Sequence, residues 1–528
     1  MGDVRRPNQR IALHCCATHA TSTGAGRCGW RAPRSGHGGP WLILILPAAH
    51  PGYAADVKMV LHWFRRDLRV ADNTALSEAA RRAEVVVPVF ILEDALRTGP
   101  DVGAARLAFL LRSVRDLRDD LGRRGYPLII RAGKSELELP KLAAELGAEA
   151  VFCNQRYEPY SQARDARVFN ALNTAGIGFE VFKDAVVWEE REILTQAGNP
   201  YTVFTPYSKA WKARPVPPPY ATLPPTTRKY PVVASAPLPL DPAELGHPLT
   251  QTVPATGSAG AGKLLDDFLA GPVFAYAEGR DFPAQRGTSR LSPHFRCGTI
   301  GIRTVLARLE LARKQAGTDP GRRKGCEIFL TELIWREFYQ QVLSNFPHVM
   351  KGCFRPEYDA LGWSENRAHF EAWCAGQTGY PIVDAAMRCL NATGEMHNRL
   401  RMITAMFLTK DLLISWQWGE RYFMQKLVDG DLGANNGGWQ WSAGTGTDAA
   451  PYFRIFNPVS QGQKFDPVGD FVRQWVPELA GVDSGVIHEP WTAGIFGGGA
   501  RYPRPIVDHG EQRLKCLAMF KAVRGVGG

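Results

Sequence analysis

Cysteine is scarce and poorly spaced in this chain. Ten Cys occur in 528 residues without a single CxxC pair, and only Cys15 and Cys16 are adjacent. Such usage argues against a disulfide framework, leaves no cluster for an iron–sulfur centre, and predicts reduced thiols in a cytoplasmic protein. Long hydrophobic runs are missing too. The apolar stretch Trp41 to Pro47 is too short to span a bilayer, and the forty residues before it are too long a lead for a secretory signal, despite the small residues of Tyr53-Ala54-Ala55. The one GxGxxG match, Gly24-Ala25-Gly26-Arg27-Cys28-Gly29, has no strand before it and no helical repeat after it, so it reads as chance. Acidic residues are the minority charge: 52 Asp and Glu face 63 Lys and Arg, for a net +11 and a pI near 9.2. That surplus suits a polyanionic partner without selecting one.

Residues 1–57, rich in Arg, Gly, Thr and Cys without periodicity, predict a disordered extension or an upstream start, with Met59 as the natural beginning. A regular alternation follows. Apolar runs at Met59 to Phe64, Val85 to Leu92, Leu128 to Arg131, Ala150 to Cys153 and Phe179 to Phe182 alternate with amphipathic segments, which predicts a Rossmann-like parallel α/β sheet over 58–190. Ligands of such sheets bind beyond the carboxyl ends of the strands, here Phe64 to Asn73 and Asn154 to Gln162. Proline then crowds the chain, as in Pro217-Pro218-Pro219 and Pro224-Pro225, so 191–261 reads as an interdomain connector. From 262 to 528 helical patterns dominate, without internal repeats, and predict an all-α domain.

Three segments of that domain are poor recipes for ordinary core. Asp429 to Trp441 packs two acids, an Asn pair, glycines and two Trp into one stretch suited to a planar heteroaromatic ligand. Glu332, Trp335, Arg336 and Tyr339 share one helix face by their spacing of three, four and seven. Beyond the core stripe of Met396, Leu400, Ile403 and Phe407, the residues Asn398, Arg401 and Met402 stand to one side. Thr288 to Ser292 is a hydroxyl-rich turn before a helix, suited to phosphate, although Ser and Thr are also routine helix caps.

Together with Trp63-Phe64-Arg65-Arg66-Asp67-Leu68-Arg69, His397-Asn398-Arg399-Leu400-Arg401-Met402 and Phe453-Arg454-Ile455-Phe456-Asn457-Pro458, these motifs resemble the cryptochrome/photolyase family, most closely the class I photolyases that repair cyclobutane pyrimidine dimers. The resemblance runs from about Met59 to the C-terminus. It implies an α/β domain, a connector and a helical domain that holds FAD. By carry-over, Tyr276, Thr288, Ser289, Arg290, Leu291, Ser292 and Arg336 contact the cofactor's phosphates and ribose, Arg401 pairs with Asp429 beside the flavin, Asp431 meets its polar edge, and Asn435 faces N5. Glu332, Asn398 and Asn435 are the catalytic candidates. Trp335 and Trp441 clamp a flipped-out dimer, with Glu332 on its base edges and Tyr339, Asn398 and Met402 along the wall; Arg280, Arg399, Arg454 and Lys464 take phosphates at the rim. Trp439, Trp416 and Trp363 form the chain that conducts electrons to oxidised flavin. The implied reaction is electron donation from photoexcited FADH⁻ to the dimer, ring splitting and electron return, in a monomer that acts on damaged DNA, with no membrane and no metal.

Two features depart from the pattern. Class I enzymes commonly carry Trp where Glu395 stands, and the antenna segment Glu158-Pro159-Tyr160-Ser161 leaves folate and deazaflavin both open. A neutral amide at Asn435 and non-His residues at Asn398 and Met402 favour dimer repair over a cryptochrome photoreceptor or a (6-4) enzyme. A non-catalytic DNA-binding flavoprotein is the remaining alternative.

Overall fold

The computed structural model describes residues 57–99, 101–492 and 502–525; the GxGxxG match and nearly all of the 1–57 segment lie outside them. The chain enters on β1 (Val57–Phe64) and alternates through α1 (Thr74–Arg82), β2 (Ala83–Leu92), α2 (Ala104–Arg123), β3 (Ile129–Ala132), α3 (Ser135–Leu146), β4 (Ala150–Asn154), α4 (Pro159–Thr174) and β5 (Gly178–Phe182). All pairings are parallel, in the order β3-β2-β1-β4-β5. Because both faces are covered by helices, the central strands are apolar on both sides: Val60, Leu61, Trp63 and Phe64 of β1 are all buried. The strand order reverses between β1 and β4, which opens a crevice at their carboxyl ends.

The 191–261 stretch is more than a spacer. It carries α5 (Phe204–Lys212), and its proline-rich part lies along the α/β region. There the Leu223 N–H donates to the Val70 carbonyl at 2.9 Å and the Ala236 N–H to Ile130 at 2.8 Å, so the connector pairs the otherwise open edge of β3.

Helices make up the remainder, including α6 (Gly257–Ala270), α7 (Ser292–Cys297), α8 (Ile302–Gln315), α9 (Pro320–Asn345), α10 (Arg367–Ala375), α11 (Pro381–Thr393), α12 (Asn398–Met406), α13 (Trp416–Lys426), α14 (Leu432–Ala443), α15 (Pro458–Phe465) and α16 (His509–Gly525). Their main core gathers Trp373, Met387, Leu400, Phe407, Trp416, Phe423 and Trp439. A buried charge network ties this part to the sheet. Arg69 pairs with Asp184 at 2.7 Å, and Arg303 of α8 reaches both Asp72 and Asp184 at 2.9 Å. No helix among the described residues is long and apolar enough to cross a membrane.

Candidate functional site

The site's centre is α14, which by propensity should not be a helix. Gly433, Gly437 and Gly438 each disfavour it by about 1 kcal/mol relative to Ala, yet tertiary contacts outweigh that cost. Asp431 caps the first turn through the Ala434 N–H at 3.2 Å, and Gly444 closes the last in the left-handed region, at φ 83°. Gly437 lets α14 approach α9, since a Cβ there would lie 2.1 Å from the Tyr339 ring. Gly419 does the same for α13, where a Cβ would meet Trp439 at 2.0 Å. The Asn pair faces α13 as well: Asn435 Nδ2 donates to the Glu420 carbonyl at 3.0 Å, and Asn436 Nδ2 to Glu420 Oε1 at 3.1 Å. That arrangement turns the amide oxygen of Asn435 away from Glu420 as its free acceptor.

Immediately before α14, Arg401 Nη2 donates to Asp429 Oδ2 at 2.8 Å, while Arg401 Nε is held by the Met396 carbonyl at 2.8 Å. The other oxygen, Asp429 Oδ1, is buried and receives no protein donor. A buried carboxylate oxygen without a donor is costly, so the geometry calls for a ligand N–H at this point. Asp431 Oδ1 takes Gln340 Nε2 at 2.7 Å, which anchors the cap to α9. Gln340 stands one turn beyond Arg336, so the helical period that picked out Arg336 could have found it.

The Thr288–Ser292 turn likewise presents donors without protein partners. None of the backbone N–H groups of Thr288, Ser289 and Arg290 donates to a protein acceptor, and the Leu291 N–H reaches only Ser289 Oγ at 3.5 Å. Arg290 holds φ 53°, and Ser292 begins α7. Tyr276, buried, lies under the Arg280 guanidinium at 5.5 Å. Arg336 donates to the Ala185 carbonyl at 2.8 Å and covers the Phe295 ring.

A relay of ion pairs joins several DNA-facing candidates. Glu332 accepts from Arg280 Nη1 at 2.7 Å, Arg280 lies 3.9 Å from Asp281, and Asp281 accepts from Arg399 Nη2 at 2.8 Å. Arg399 in turn reaches Met402 Sδ and covers Phe465, over which Lys464 also sits. Trp335 is stacked on Phe204 at 3.6 Å and 7°, with Tyr339 beside it at 5.5 Å, so one indole face is already covered and the ring is held rigidly. Phe204 is fixed through its N–H to Asp448 at 3.0 Å. Sequence reasoning missed Asp281, Phe204 and Asp448; Phe204 and Asp448 lie more than a hundred residues from the Trp335 they position or support, and no local signal links them. Asn398 and Arg454 are exposed, and Trp441 is half-buried.

Trp439 is buried and packs edge-on against Phe423 at 4.9 Å and Trp373 of α10 at 6.0 Å. Trp416 is buried in the same core, with no ring pair to Trp439 among the described residues. Trp363 joins that core's margin, brought beside the Leu413–Ile414 segment by the Ser364 N–H to Leu413 at 2.6 Å.

A second cluster occupies the crevice where the strand order reverses. Arg66 and Arg156 both bind Glu158, and Arg296 of α7 and Arg106 of α2 converge on them. Burial pushes the Arg66 guanidinium down to about 9 and those of Arg106 and Arg296 to about 10, with their mutual repulsion adding to it. Four cations gather here with Glu158 as the carboxylate ion-paired to two of them and Asp431, Asp429 and Asp101 acting from further away, which leaves a crevice that favours an anion.

Comparison with known proteins agrees with both halves of this architecture. The family model described as DNA photolyase matches residues 60–225, and that described as the FAD binding domain of DNA photolyase matches 329–522. A deoxyribodipyrimidine photo-lyase of Vibrio cholerae is 41% identical over 483 residues, covering 88% of this chain and all of the relative. That of Escherichia coli is 42% identical over 476 residues, covering 88% and 98%. Among solved structures, a class III photolyase from Agrobacterium tumefaciens superposes with a TM-score of 0.81 at 37% identity, over 90% of this chain and all of that one. An archaeal photolyase from Sulfolobus tokodaii, solved with two FAD molecules, gives 0.75 at 33%, over 88% and 100%. With identity at this level along the whole length of its relatives, and with both family models matched in order, the chain belongs to the DNA photolyase family.

Proposed function

We propose that this chain is a light-driven deoxyribodipyrimidine photo-lyase that uses FAD to split cyclobutane pyrimidine dimers in DNA. The observation that carries the reading is the Arg401–Asp429 pair with its donor-less buried oxygen, in a chain aligned end to end with relatives of that name. When bound, reduced FAD supplies the light-driven electron chemistry that opens the cyclobutane ring.

The protein's part is holding and screening. The free N–H groups of Thr288 to Arg290 and the Ser292 hydroxyl cradle the pyrophosphate, with Tyr276 and Arg336 beside it. Asp429 Oδ1 accepts from the flavin's polar edge, and Arg401 places a fixed cation there that favours an anionic reduced ring. Asn435 offers a neutral amide oxygen, an acceptor that cannot release a proton. On the DNA side, Trp335 backed by Phe204 gives a flat wall for one face of the dimer, Trp441 bounds the other, and Tyr339, Asn398 and Met402 complete the pocket. Glu332, ion-paired with Arg280, accepts from base-edge N–H groups. Arg280, Arg399, Arg454 and Lys464 neutralise phosphates around the rim. Trp439, Trp416 and Trp363 carry an electron inward when the cofactor is oxidised. The Arg66, Arg106, Arg156 and Arg296 crevice holds an anionic second chromophore, folate or deazaflavin in class; a Sulfolobus relative with two FAD molecules supports a second light-harvesting group in this fold.

The decisive test is repair of dimer-containing oligonucleotide by chemically reduced, FAD-loaded protein under blue or near-ultraviolet light. Restored thymines in the light and none in the dark are expected. Tight dimer binding without light-dependent turnover would leave a non-catalytic flavoprotein, and light-dependent partner binding with intact dimers would leave a photoreceptor.

A further inference from the structure

We infer that Glu395 is a latch that retains the cofactor, a role resting on the FAD reading above. In the Thr288–Ser292 turn the first three N–H groups make no protein hydrogen bond; Leu291 is buried in the core, and among the described residues the polar side chains make one tie to another segment. That tie is Arg290 Nη2 to Glu395 Oε2 at 2.8 Å. Glu395, by contrast, is a fixed post. Its N–H donates to Thr393 Oγ1 at 3.1 Å, and its carbonyl accepts from Thr393 Oγ1 at 3.4 Å and Cys389 Sγ at 3.6 Å. On either side, the Gly394 carbonyl takes the Val428 N–H at 2.9 Å and the Met396 carbonyl takes Arg401 Nε at 2.8 Å. Glu395 is thereby welded to the wall that carries Asp429 and Arg401.

The ion pair consequently spans two walls that hold different parts of the cofactor, the Thr288–Ser292 turn at the pyrophosphate and the Arg401–Asp429 pair at the flavin edge. A ligand held by both leaves only when the walls part. Arg290 is 52% exposed and Glu395 27% by side chain, so the pair sits at the mouth, within reach of solvent and of salt. Burial raises the Glu395 carboxyl above its usual range and the Asp429 charge pushes the same way, while Arg290 and Arg401 oppose both. Losing Arg290 would therefore leave a carboxylate with little reason to stay charged there.

The opposite outcome is physically open, because a guanidinium released from Glu395 is free to bind the pyrophosphate itself. The test is the rate at which FAD leaves diluted holoprotein, read as flavin in the filtrate, for the wild type, E395Q, R290Q and the double variant. A latch predicts release about three- to ten-fold faster in E395Q, no added effect of E395Q in the R290Q background, and partial retention in E395D. It also predicts wild-type release that quickens from about 0.05 to about 0.5 M salt, with a flatter dependence in E395Q. Unchanged or slower release from E395Q, with matching circular dichroism, overturns the latch. A wild-type chain that takes up no FAD overturns the cofactor reading and the latch with it.

Discussion

His397 sets an acid limit on the wall that carries Arg401. Its Nδ1 accepts the Arg399 N–H at 3.2 Å as the cap of α12, so the ring must be neutral there. Burial lowers its pKa to about 4, Asp281 opposes, and Arg401, Arg399 and Arg280 add to the lowering. The folded pKa lies below the unfolded value near 6.5, so this contribution is fully present above about pH 6.5 and is lost as pH falls through 4. The expected cost on acidification is on the order of 2 kcal/mol after discounting for partial exposure. His294, also lowered to about 4 by burial, adds with the same sign. His397→Asn keeps a capping side chain without a titrating group, and urea unfolding at pH 5 and pH 7.5 should show a smaller difference for it than for the wild type. The two tryptophans of α14 part company by burial. Trp439→Phe should abolish photoreduction of oxidised protein yet spare repair by pre-reduced protein, whereas Trp441→Ala should weaken dimer binding and leave photoreduction intact. Equal effects in the two assays would refute that division.

At the scale of elements, α14 shows that composition can mislead about helix formation. Its three glycines argue for a loop, but the caps at Asp431 and Gly444 and the close approach to α9 and α13 fix it as a helix. Two neighbouring substitutions should therefore act in opposite directions. Gly437→Ala improves propensity but drives a methyl into Tyr339 and should cost about 1 to 3 kcal/mol. At Gly438 no atom lies within 4 Å of an added Cβ, so Gly438→Ala should gain about 0.5 to 1 kcal/mol. Thermal unfolding of the two single variants checks both signs. The face of α9 bearing Glu332, Trp335, Arg336 and Tyr339 was legible from spacing alone because a helical period reports which side chains share a face. Its partners were not: Phe204 on Trp335 and Arg280 on Glu332 arrive from other elements, and their positions follow from packing.

For the molecule as a whole, the sheet and the helical part are held by charges with few alternatives. Asp72 and Asp184 are buried and share Arg303, Arg69 pairs with the Asp184 carboxylate and donates to the Asp72 carbonyl, and Asp72 Oδ2 also accepts from the Thr304 N–H at 3.0 Å. Removing one partner of such a network leaves an uncompensated buried charge. Arg303→Ala should cost about 3 to 5 kcal/mol in chemical unfolding, with the two halves ceasing to melt together. Gly301 and Gly298 make this junction close, for a Cβ on either would meet Asp72 or the Arg66 carbonyl at 2.0 Å or less. The connector adds to it along β3, so proline density marked an element that covers a sheet edge as well as one that spans two regions.

The amino-acid sequence by itself determined the five strands, the helices between them, the change to an all-helical second half and the motifs that identify the family. These are properties of short windows, where alternation and helical period record which side of each segment is buried. Tertiary structure alone decided the strand order, the donor-less oxygen of Asp429, the relay from Glu332 to Arg399, the Arg290–Glu395 tie and the convergence of Arg66, Arg106, Arg156 and Arg296. Each depends on segments from separate parts of the chain meeting in a packed interior, where the strength of a charge or a hydrogen bond is set by what else is excluded from the same space.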